Sequence, residues 1–260
     1  MKEKLAVVKI GGNVIDDQLK LQDFVRIFSQ LEGKKLLIHG GGKIATQTAE
    51  RLNVETQMID GRRITGDDMI DVAVMVYAGL VNKNIIAMLS SEGVTSIGLS
   101  GADGDSILAE KRPIVNGIDY GWVGDVKQVN EDLFDLLLKS GITPVMCALT
   151  HDGQGQMLNT NADTVASEIA IALSSRYEVD LNYCFELPGV LRDIEDSASL
   201  IKEIRSPDYE KLKVEGVISR GMIPKLDNAF DSLSRGVARV NIRNVESFAA
   251  NQNHEFTTLH

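Results

Sequence analysis

Short apolar runs alternate with amphipathic segments along most of the chain. Residues 5–10 and 35–39 are nearly continuous apolar runs of strand length, and segments with helical periodicity follow them at 17–31 and 43–52. This alternation is typical of strand–helix units that build a parallel sheet with helices on its faces. Further helices are predicted at 67–92, 131–140, from Asn161 onward and at 223–235, and further strands at 94–99, 142–149, 178–185 and 238–242.

Two segments depart from this alternation. Residues 106–129 contain short β-like pieces and predict a pair of hairpins. After the strand at 178–185, a loop through Pro188-Gly189 is predicted, followed by a polar stretch to 216. No low-complexity linker divides the chain, so we predict one domain over 1–260, with an N-terminal lobe (1–173) and a C-terminal lobe (174–260) on one continuous sheet. A ligand cleft then lies along the carboxyl edge of that sheet.

Composition narrows the possible functions. The chain has 260 residues, 43% of them hydrophobic, and a net charge of −10, which argues against nucleic-acid binding through a basic surface. No apolar run approaches the roughly 20 residues of a membrane span, and strand pattern begins too early for a signal peptide. We therefore expect a cytoplasmic protein without membrane partners. Cys147 and Cys184 show no metal-ligand spacing and are expected to be reduced thiols.

The first strand ends in a cation and two glycines, Lys9-Ile10-Gly11-Gly12. Ligands gather at the carboxyl ends of parallel strands, and glycines let backbone N–H groups approach an anion closely. These residues therefore predict half of a phosphate site. A lysine that extends from the strand end to water is the alternative.

The second strand ends in His39-Gly40-Gly41-Gly42-Lys43 and leads directly into a helix, whose free N–H groups favour anions. Leu37 and Ile44 stand where a Walker A loop needs glycine and Ser or Thr. An esterase is also disfavoured, because Gly98-Leu99-Ser100-Gly101-Ala102 lacks the final glycine of a nucleophile elbow. A turn without any ligand remains the alternative.

Three more polar groups are candidates for anion binding. Arg62 and Arg63 precede the helix at 67–92, and arginine is well shaped to grip a carboxylate. Asn159-Thr160-Asn161-Ala162-Asp163 combines an expected N-cap, Asn161, with an aspartate that could hold two lysines. Lys225 lies in the first turn of a predicted helix, where a cation is disfavoured unless an anion binds beside it.

The start of the long helix at 67–92 has a capping signal. Thr65 and Asp68 stand at capping-box spacing, with Asp in place of the preferred Glu. We therefore predict that Thr65 caps this helix.

Taken together, the ordered motifs resemble the amino acid kinase family, and within it the N-acetyl-L-glutamate 5-phosphotransferase branch. The resemblance covers nearly the whole chain. It is carried by Lys9-Ile10-Gly11-Gly12, His39-Gly40-Gly41-Gly42, Gly61-Arg62-Arg63-Ile64-Thr65, Tyr120-Gly121-Trp122-Val123-Gly124-Asp125-Val126, Asn159-Thr160-Asn161-Ala162-Asp163 and Gly221-Met222-Ile223-Pro224-Lys225.

The resemblance implies a three-layer αβα sandwich of the carbamate kinase-like type, on a mainly parallel sheet of about eight strands. It implies that Lys9 and Lys225 stabilise the transferring phosphoryl group and that Asp163 organises both lysines. It further implies that ATP and Mg²⁺ take part, with Mg²⁺ held mainly by the ATP phosphates. The residues implied to bind the acyl amino acid are Gly41, Gly42, Arg63 and Asn159, and those implied to bind ATP are Gly11, Gly12, Glu186, Leu187, Pro188, Gly189, Val190, Leu191, Val217, Ile218 and Ser219.

The implied activity is phosphorylation of the γ-carboxylate of N-acetyl-L-glutamate in the second step of arginine biosynthesis, by a homodimer. Arginine-inhibited relatives carry an extra N-terminal helix, whereas eight residues precede Lys9 here, so we expect no such inhibition. Phe185-Glu186-Leu187-Pro188 departs from the usual nucleotide loop. The alternatives are a sister kinase that uses N-succinyl-L-glutamate, N-acetyl-aminoadipate, aspartate or glutamate, and a non-catalytic sensor of nucleotide or amino acid.

Overall fold

The computed structural model describes residues 2–59, 62–193, 195–218, 222–248 and 255–260. In chain order, its strands are β1 (Glu3–Ile10), β2 (Lys34–His39), β3 (Gln57–Ile59), β4 (Arg62–Ile64), β5 (Ser96–Leu99), β6 (Ile107–Lys111), β7 (Gly124–Val129), β8 (Thr143–Cys147), β9 (Leu149–His151), β10 (Met157–Asn159), β11 (Tyr177–Cys184), β12 (Val190–Leu191), β13 (Leu200–Ile201), β14 (Glu203–Ile204), β15 (Arg239–Arg243) and β16 (Thr257–Leu259).

Eight of these strands form the central sheet, in the order β14-β16-β15-β11-β1-β2-β8-β5. Neighbouring strands are parallel except β15 and β16, which run antiparallel. The sheet is continuous from end to end and places β1, with its terminal lysine, near the middle. The expectation of a mainly parallel eight-stranded sheet is confirmed.

Helices cover both faces of this sheet. They are α1 (Gly12–Ile15), α2 (Gln18–Ser29), α3 (Gly42–Arg51), α4 (Asp67–Ala73), α5 (Asn82–Ser91), α6 (Glu131–Lys139), α7 (Ala162–Ser174), α8 (Ser206–Val214) and α9 (Ile223–Ser234). A π-helical segment, Val74–Val81, joins α4 to α5 in one continuous helix. Residues of α1 to α5 pack in one hydrophobic cluster and those of α6 to α9 in another, so the three-layer prediction is confirmed.

The alternation of side chains along β1 decides what Lys9 can reach. Leu5 and Val7 belong to the cluster with α7, whereas Val8 and Ile10 belong to the cluster on the opposite face. Because side chains alternate with a period of two along a strand, Lys9 shares the face of Leu5 and Val7. Lys9 therefore points toward the layer that contains α7 and α9.

The long helix Asp67–Ser91 corrects one expectation from the sequence. By length and composition it could cross a membrane, since its most apolar 18-residue window has a mean hydropathy of 1.7, and 44% of that window is buried. The helix is apolar on two sides. One side packs in the core, and the other carries Met75 and Leu80, each 51% exposed. The expectation that no segment reaches span length is therefore wrong.

Other elements differ from the sequence prediction in places where local pattern is weak. Helix α8 lies in the polar stretch before residue 216, where no helix was predicted, and its first turn contains Pro207. The strand expected at 142–149 ends at Cys147, and β9 instead joins β6, β7 and β10 in a separate four-stranded sheet. In the hairpin region, β6 pairs with β7, and a Val115–Ile118 bridge closes the connection between them. The division into two lobes at residue 173 stays a prediction.

Candidate functional site

A buried ion pair lies at the carboxyl end of β1. The Nζ atom of Lys9 is 2.7 Å from Oδ1 of Asp163, and both side chains are largely buried. Asp163 lies in the first turn of α7, whose N-cap, Asn161, accepts hydrogen bonds from the N–H groups of Asp163 (2.7 Å) and Thr164 (3.2 Å). The sequence prediction for Asn161 is thus confirmed. A buried ion pair at the edge of a cleft is weak evidence for stability, but it marks a candidate functional site.

Lys225 lies close to this pair. It occupies the first turn of α9, and its Nζ atom is 3.7 Å from the centre of the Phe185 ring. Burial is the main cause that lowers the pKa of Lys225; the Asp163 and Glu186 carboxylates act to raise it, and Lys9 acts to lower it. Two lysines therefore face one aspartate, although they lie more than two hundred residues apart in the chain.

A cavity of about 740 Å³ opens at these two lysines, which is large enough for a nucleotide. Asn13, Arg192 and Asp193 also line it, and the sequence did not single them out; Phe185 and Met222 line it as well, although the sequence analysis gave neither a binding role. Pro188 is not among the lining residues, and Ser219 lies outside the described residues. Of the residues predicted to contact ATP, those that line the cavity are Gly11, Gly12, Glu186, Leu187, Gly189, Val190, Leu191, Val217 and Ile218.

The cavity wall requires a glycine at position 189. A Cβ atom there would lie 2.3 Å from Oγ1 of Thr257. That hydroxyl accepts a hydrogen bond from the N–H of Val190 (2.8 Å) and donates one to the carbonyl of Ile201 (2.6 Å). Gly189 therefore allows the loop after β11 to pack directly against β16.

The glycine loop after β2 lies beside the N-terminus of α7. A Cβ atom at Gly40 would be 3.8 Å from that of Ala162, the residue before Asp163. Gly41 has a φ of +149°, and a Cβ atom there would be 3.1 Å from the Tyr77 ring. Helix α3 begins at Gly42, so its first N–H groups, which have no partner within the helix, lie in this loop.

Arg63 contacts the same loop from β4. Its Nη2 atom donates hydrogen bonds to the carbonyl of Gly42 (2.8 Å) and to Oγ1 of Thr46 (2.7 Å). These bonds hold one end of the guanidinium group beside the start of α3. Tyr77, in the π-helical segment, is part of this contact, since burial raises the pKa of its hydroxyl and Arg63 counteracts that effect. Tyr77 was missed because the period of an ordinary helix does not indicate which residue a π-helical turn points inward.

Thr65 joins Arg63 to Asn159, and its predicted role as a helix cap is wrong. The N-cap of α4 is Gly66, without a side-chain cap. The buried hydroxyl of Thr65 instead accepts a hydrogen bond from the Asn159 amide (3.0 Å) and donates one to the Arg63 carbonyl (3.4 Å). Gly121 lies against Thr65, where a Cβ atom would be 2.2 Å from the Thr65 carbonyl oxygen. Long-range pairing therefore decides the role of Thr65.

His39 supports the glycine loop as a neutral, buried imidazole. The side-chain amide of Asn82 donates to its Nε2 atom (3.0 Å), which leaves Nδ1 to donate to the carbonyl of Gly40 (2.8 Å). Burial is the main cause that lowers the pKa of His39 to about 4, and Lys83 adds to this effect. The imidazole thus stays uncharged at neutral pH and holds the carbonyl of Gly40 in one orientation.

We expect His39 to make the free energy of unfolding depend on pH between about 6.5 and 4. In this range the unfolded chain binds a proton on His39 and the folded chain does not, so stability falls as the pH falls. The contribution is about 3 kcal/mol across the whole window. Urea unfolding at pH 7, 5.5 and 4.5 would measure it. The decrease should be smaller in His39→Gln but unchanged in His260→Gln, an exposed control; equal slopes in all three proteins would contradict the assignment.

Comparisons with known proteins agree with this arrangement. Residues 4–244 match the model of the amino acid kinase family. The chain is 54% identical to the acetylglutamate kinase of Cytophaga hutchinsonii over 94% of this chain and 93% of that protein. It is 50% identical to the acetylglutamate kinase of Bacteroides fragilis over 92% of each. The structure of a carbamate kinase from Giardia superposes with a TM-score of 0.68 at 13% identity, covering 99% of this chain and 98% of that one, which shows the shared fold.

The family match extends over the elements that build the site. It includes β1 with Lys9, the glycine loop after β2, α7 with Asp163, and α9 with Lys225. The chain therefore belongs to the amino acid kinase family, among the acetylglutamate kinases.

Proposed function

We propose that this protein transfers the γ-phosphoryl group of ATP to the γ-carboxylate of N-acetyl-L-glutamate, forming N-acetyl-L-glutamyl 5-phosphate and ADP. In this reaction a carboxylate oxygen forms a bond to the γ-phosphorus, and the bond from that phosphorus to the β,γ-bridging oxygen breaks. The electron pair of the broken bond leaves with ADP. Relatives named acetylglutamate kinase at about half identity over nearly the whole chain support the substrate and the place in arginine biosynthesis.

The chemistry needs charge stabilisation more than proton transfer. The attacking carboxylate is already an anion, so no general base is required. The barrier comes from the approach of two anions and from the charge that spreads over the phosphoryl oxygens. Lys9 and Lys225 supply positive charge at the mouth of the cavity, and Asp163 keeps Lys9 in place by their 2.7 Å contact.

The acyl amino acid binds on the side of the glycine loop. Arg63 and Asn159 hold the α-carboxylate end, while N–H groups of Gly41 and Gly42 face the acceptor. Arg63 suits this role because its Nη2 atom is anchored to Gly42 and Thr46, which orients the guanidinium group before substrate arrives. On the nucleotide side, Gly11 and Gly12 face the phosphates, and the residues of the cavity wall surround the rest of ATP.

The donor set fits a magnesium ion that arrives with the nucleotide. Within the described ranges, no group of three or more His, Cys, Asp or Glu side chains could hold a metal by itself, and Asp163 is occupied by Lys9. Glu186 and Asp193 are the carboxylates on the cavity wall. These two carboxylates would help to hold a magnesium ion that arrives with the nucleotide, and the ion would neutralise part of the phosphate charge.

We also propose that the protein acts in the cytoplasm as a homodimer, with its two small substrates as its other partners and neither nucleic acid nor membrane among them. The exposed Met75 and Leu80 on the long helix support a contact between two copies. Sedimentation equilibrium tests the dimer directly.

The observation that carries the proposal is the Lys9–Asp163 ion pair between the cavity and the glycine loop. An ADP-release assay with N-acetyl-L-glutamate, N-succinyl-L-glutamate, N-acetyl-aminoadipate, glutamate and aspartate tests it. We expect turnover with N-acetyl-L-glutamate. Turnover with free glutamate or aspartate but with none of the three N-acyl acceptors would refute the assignment. Calorimetry with a non-hydrolysable ATP analogue adds a test for a sensor, since binding without turnover of any acceptor would favour that class.

A further inference from the structure

Phe185 lies beside both lysines of the site. Its ring centre is 3.7 Å from Nζ of Lys225 and 5.4 Å from Nζ of Lys9. Both distances are within the range in which an aromatic face attracts a cation. Phe185 also lines the cavity, so this contact occurs at the place where phosphate is proposed to bind.

The position of the Phe185 ring is determined from two sides. Its backbone N–H, just beyond β11, donates to the carbonyl of Arg243 (2.8 Å). Its ring stacks on that of Tyr183, with centres 6.1 Å apart and planes 12° from parallel. Tyr183 is buried and its hydroxyl is hydrogen-bonded to Ser167 on α7 (2.7 Å). The buried Tyr183 ring therefore limits movement of the Phe185 ring.

The two lysines differ in how they are held. Lys9 has Asp163 at 2.7 Å. Within the part of the chain that the structure describes, Lys225 forms no ion pair, and its ammonium lies over the Phe185 ring. The charged groups that affect Lys225 are Asp163 and Glu186, which favour its charged form, and Lys9, which disfavours it.

We propose that Phe185 is a positioning residue of the phosphoryl-transfer site, whose ring holds the ammonium group of Lys225 charged and oriented toward the phosphates. This inference rests on the proposed function for its catalytic consequence, but the contact itself does not. An ammonium on an aromatic face has already lost part of its hydration, so less water must be displaced when a phosphate oxygen binds.

The test compares Phe185→Leu, which removes the aromatic face but keeps an apolar side chain, with Phe185→Tyr, which retains the ring. Phe230→Leu is the matched control, because Phe230 lies on α9 like Lys225 but stacks on Tyr209. The lysine Cε resonances of the full-length, nucleotide-free protein are titrated by NMR, and the Lys225 signal is assigned by its absence in Lys225→Arg.

We expect Phe185→Leu to lower the pKa of Lys225 by a further half to one unit or so, because the cation loses its π contact while burial remains. We also expect kcat to fall about 5- to 10-fold with little change in KM for N-acetyl-L-glutamate. Phe185→Tyr should restore both values, and Phe230→Leu should leave the Lys225 pKa unchanged.

An unchanged Lys225 pKa in Phe185→Leu would overturn the proposal. It would also be overturned if Phe185→Leu and Phe185→Tyr lost the same amount of kcat and the same amount of melting temperature, because that result would indicate packing alone. The NMR titration does not depend on turnover. If no acceptor is phosphorylated, the proposed function fails while the contact between Phe185 and Lys225 is still tested.

Discussion

Replacement of Lys9 by methionine is expected to lower kcat for N-acetyl-L-glutamate phosphorylation by about 100- to 1,000-fold. Lys9 is only 7% exposed and its ammonium group lies at the junction of the cavity and the glycine loop. Methionine preserves the apolar stem but removes the charge that offsets the developing negative charge of the transferring phosphoryl group. Lys225→Met should have an effect of the same order. Steady-state kinetics at saturating ATP and acceptor measure both.

Lys35→Met provides the matched control for Lys9→Met. Lys35 is also buried, at 8% exposure, but its ammonium donates to the carbonyls of Phe28, Ser29 and Leu31 at the end of α2. We expect this variant to lose stability and to keep kcat within about twofold, because its charge lies outside the cavity. Near-normal kcat in both Lys9→Met and Lys225→Met would refute the assigned mechanism.

Arg63→Met is expected to raise KM for N-acetyl-L-glutamate by about 30- to 150-fold, with little change in KM for ATP. Loss of a guanidinium–carboxylate contact in a partly buried site costs about 2–3 kcal/mol, which corresponds to that factor. The contacts of Arg63 with Gly42 and Thr46 place it beside the glycine loop, where the acceptor is proposed to bind, and Arg63 is not among the residues that line the cavity. Initial-rate measurements in which each substrate is varied separately distinguish the two KM values.

Arg62→Met is the matched control, since Arg62 is adjacent in β4 and exposed. We expect its KM for the acceptor to be close to that of the unmodified protein. Arg63→Lys should be intermediate, because lysine retains the charge but not the planar fork of donors. Equal KM values for the acceptor in Arg63→Met and Arg62→Met would show that the α-carboxylate is held elsewhere.

The main strands and the candidate phosphate residues could be predicted because local pattern determines them. An apolar run that ends in Lys9 and two glycines is a strand end in almost any parallel sheet, and Asn161 before an apolar helix is a cap by its own side chain. Helix α8 was missed because only Tyr209 and Leu212 in it are buried and its charged residues obscure that short apolar face. Thr65 was misassigned because the same residue types serve as caps and as buried hydrogen-bond partners.

The sequence by itself determined the alternation of strands and helices, the glycines at the carboxyl ends of β1 and β2, and the residue types that can bind an anion. Only the tertiary structure decided that Lys9 pairs with Asp163, whose charge also acts on Lys225, that Thr65 joins Arg63 to Asn159, and that the ring of Phe185 lies against Lys225. The physical reason is the separation along the chain over which each kind of interaction acts. Periodicity and capping act within a few residues, whereas strand order and register bring together side chains that are separated by most of the chain.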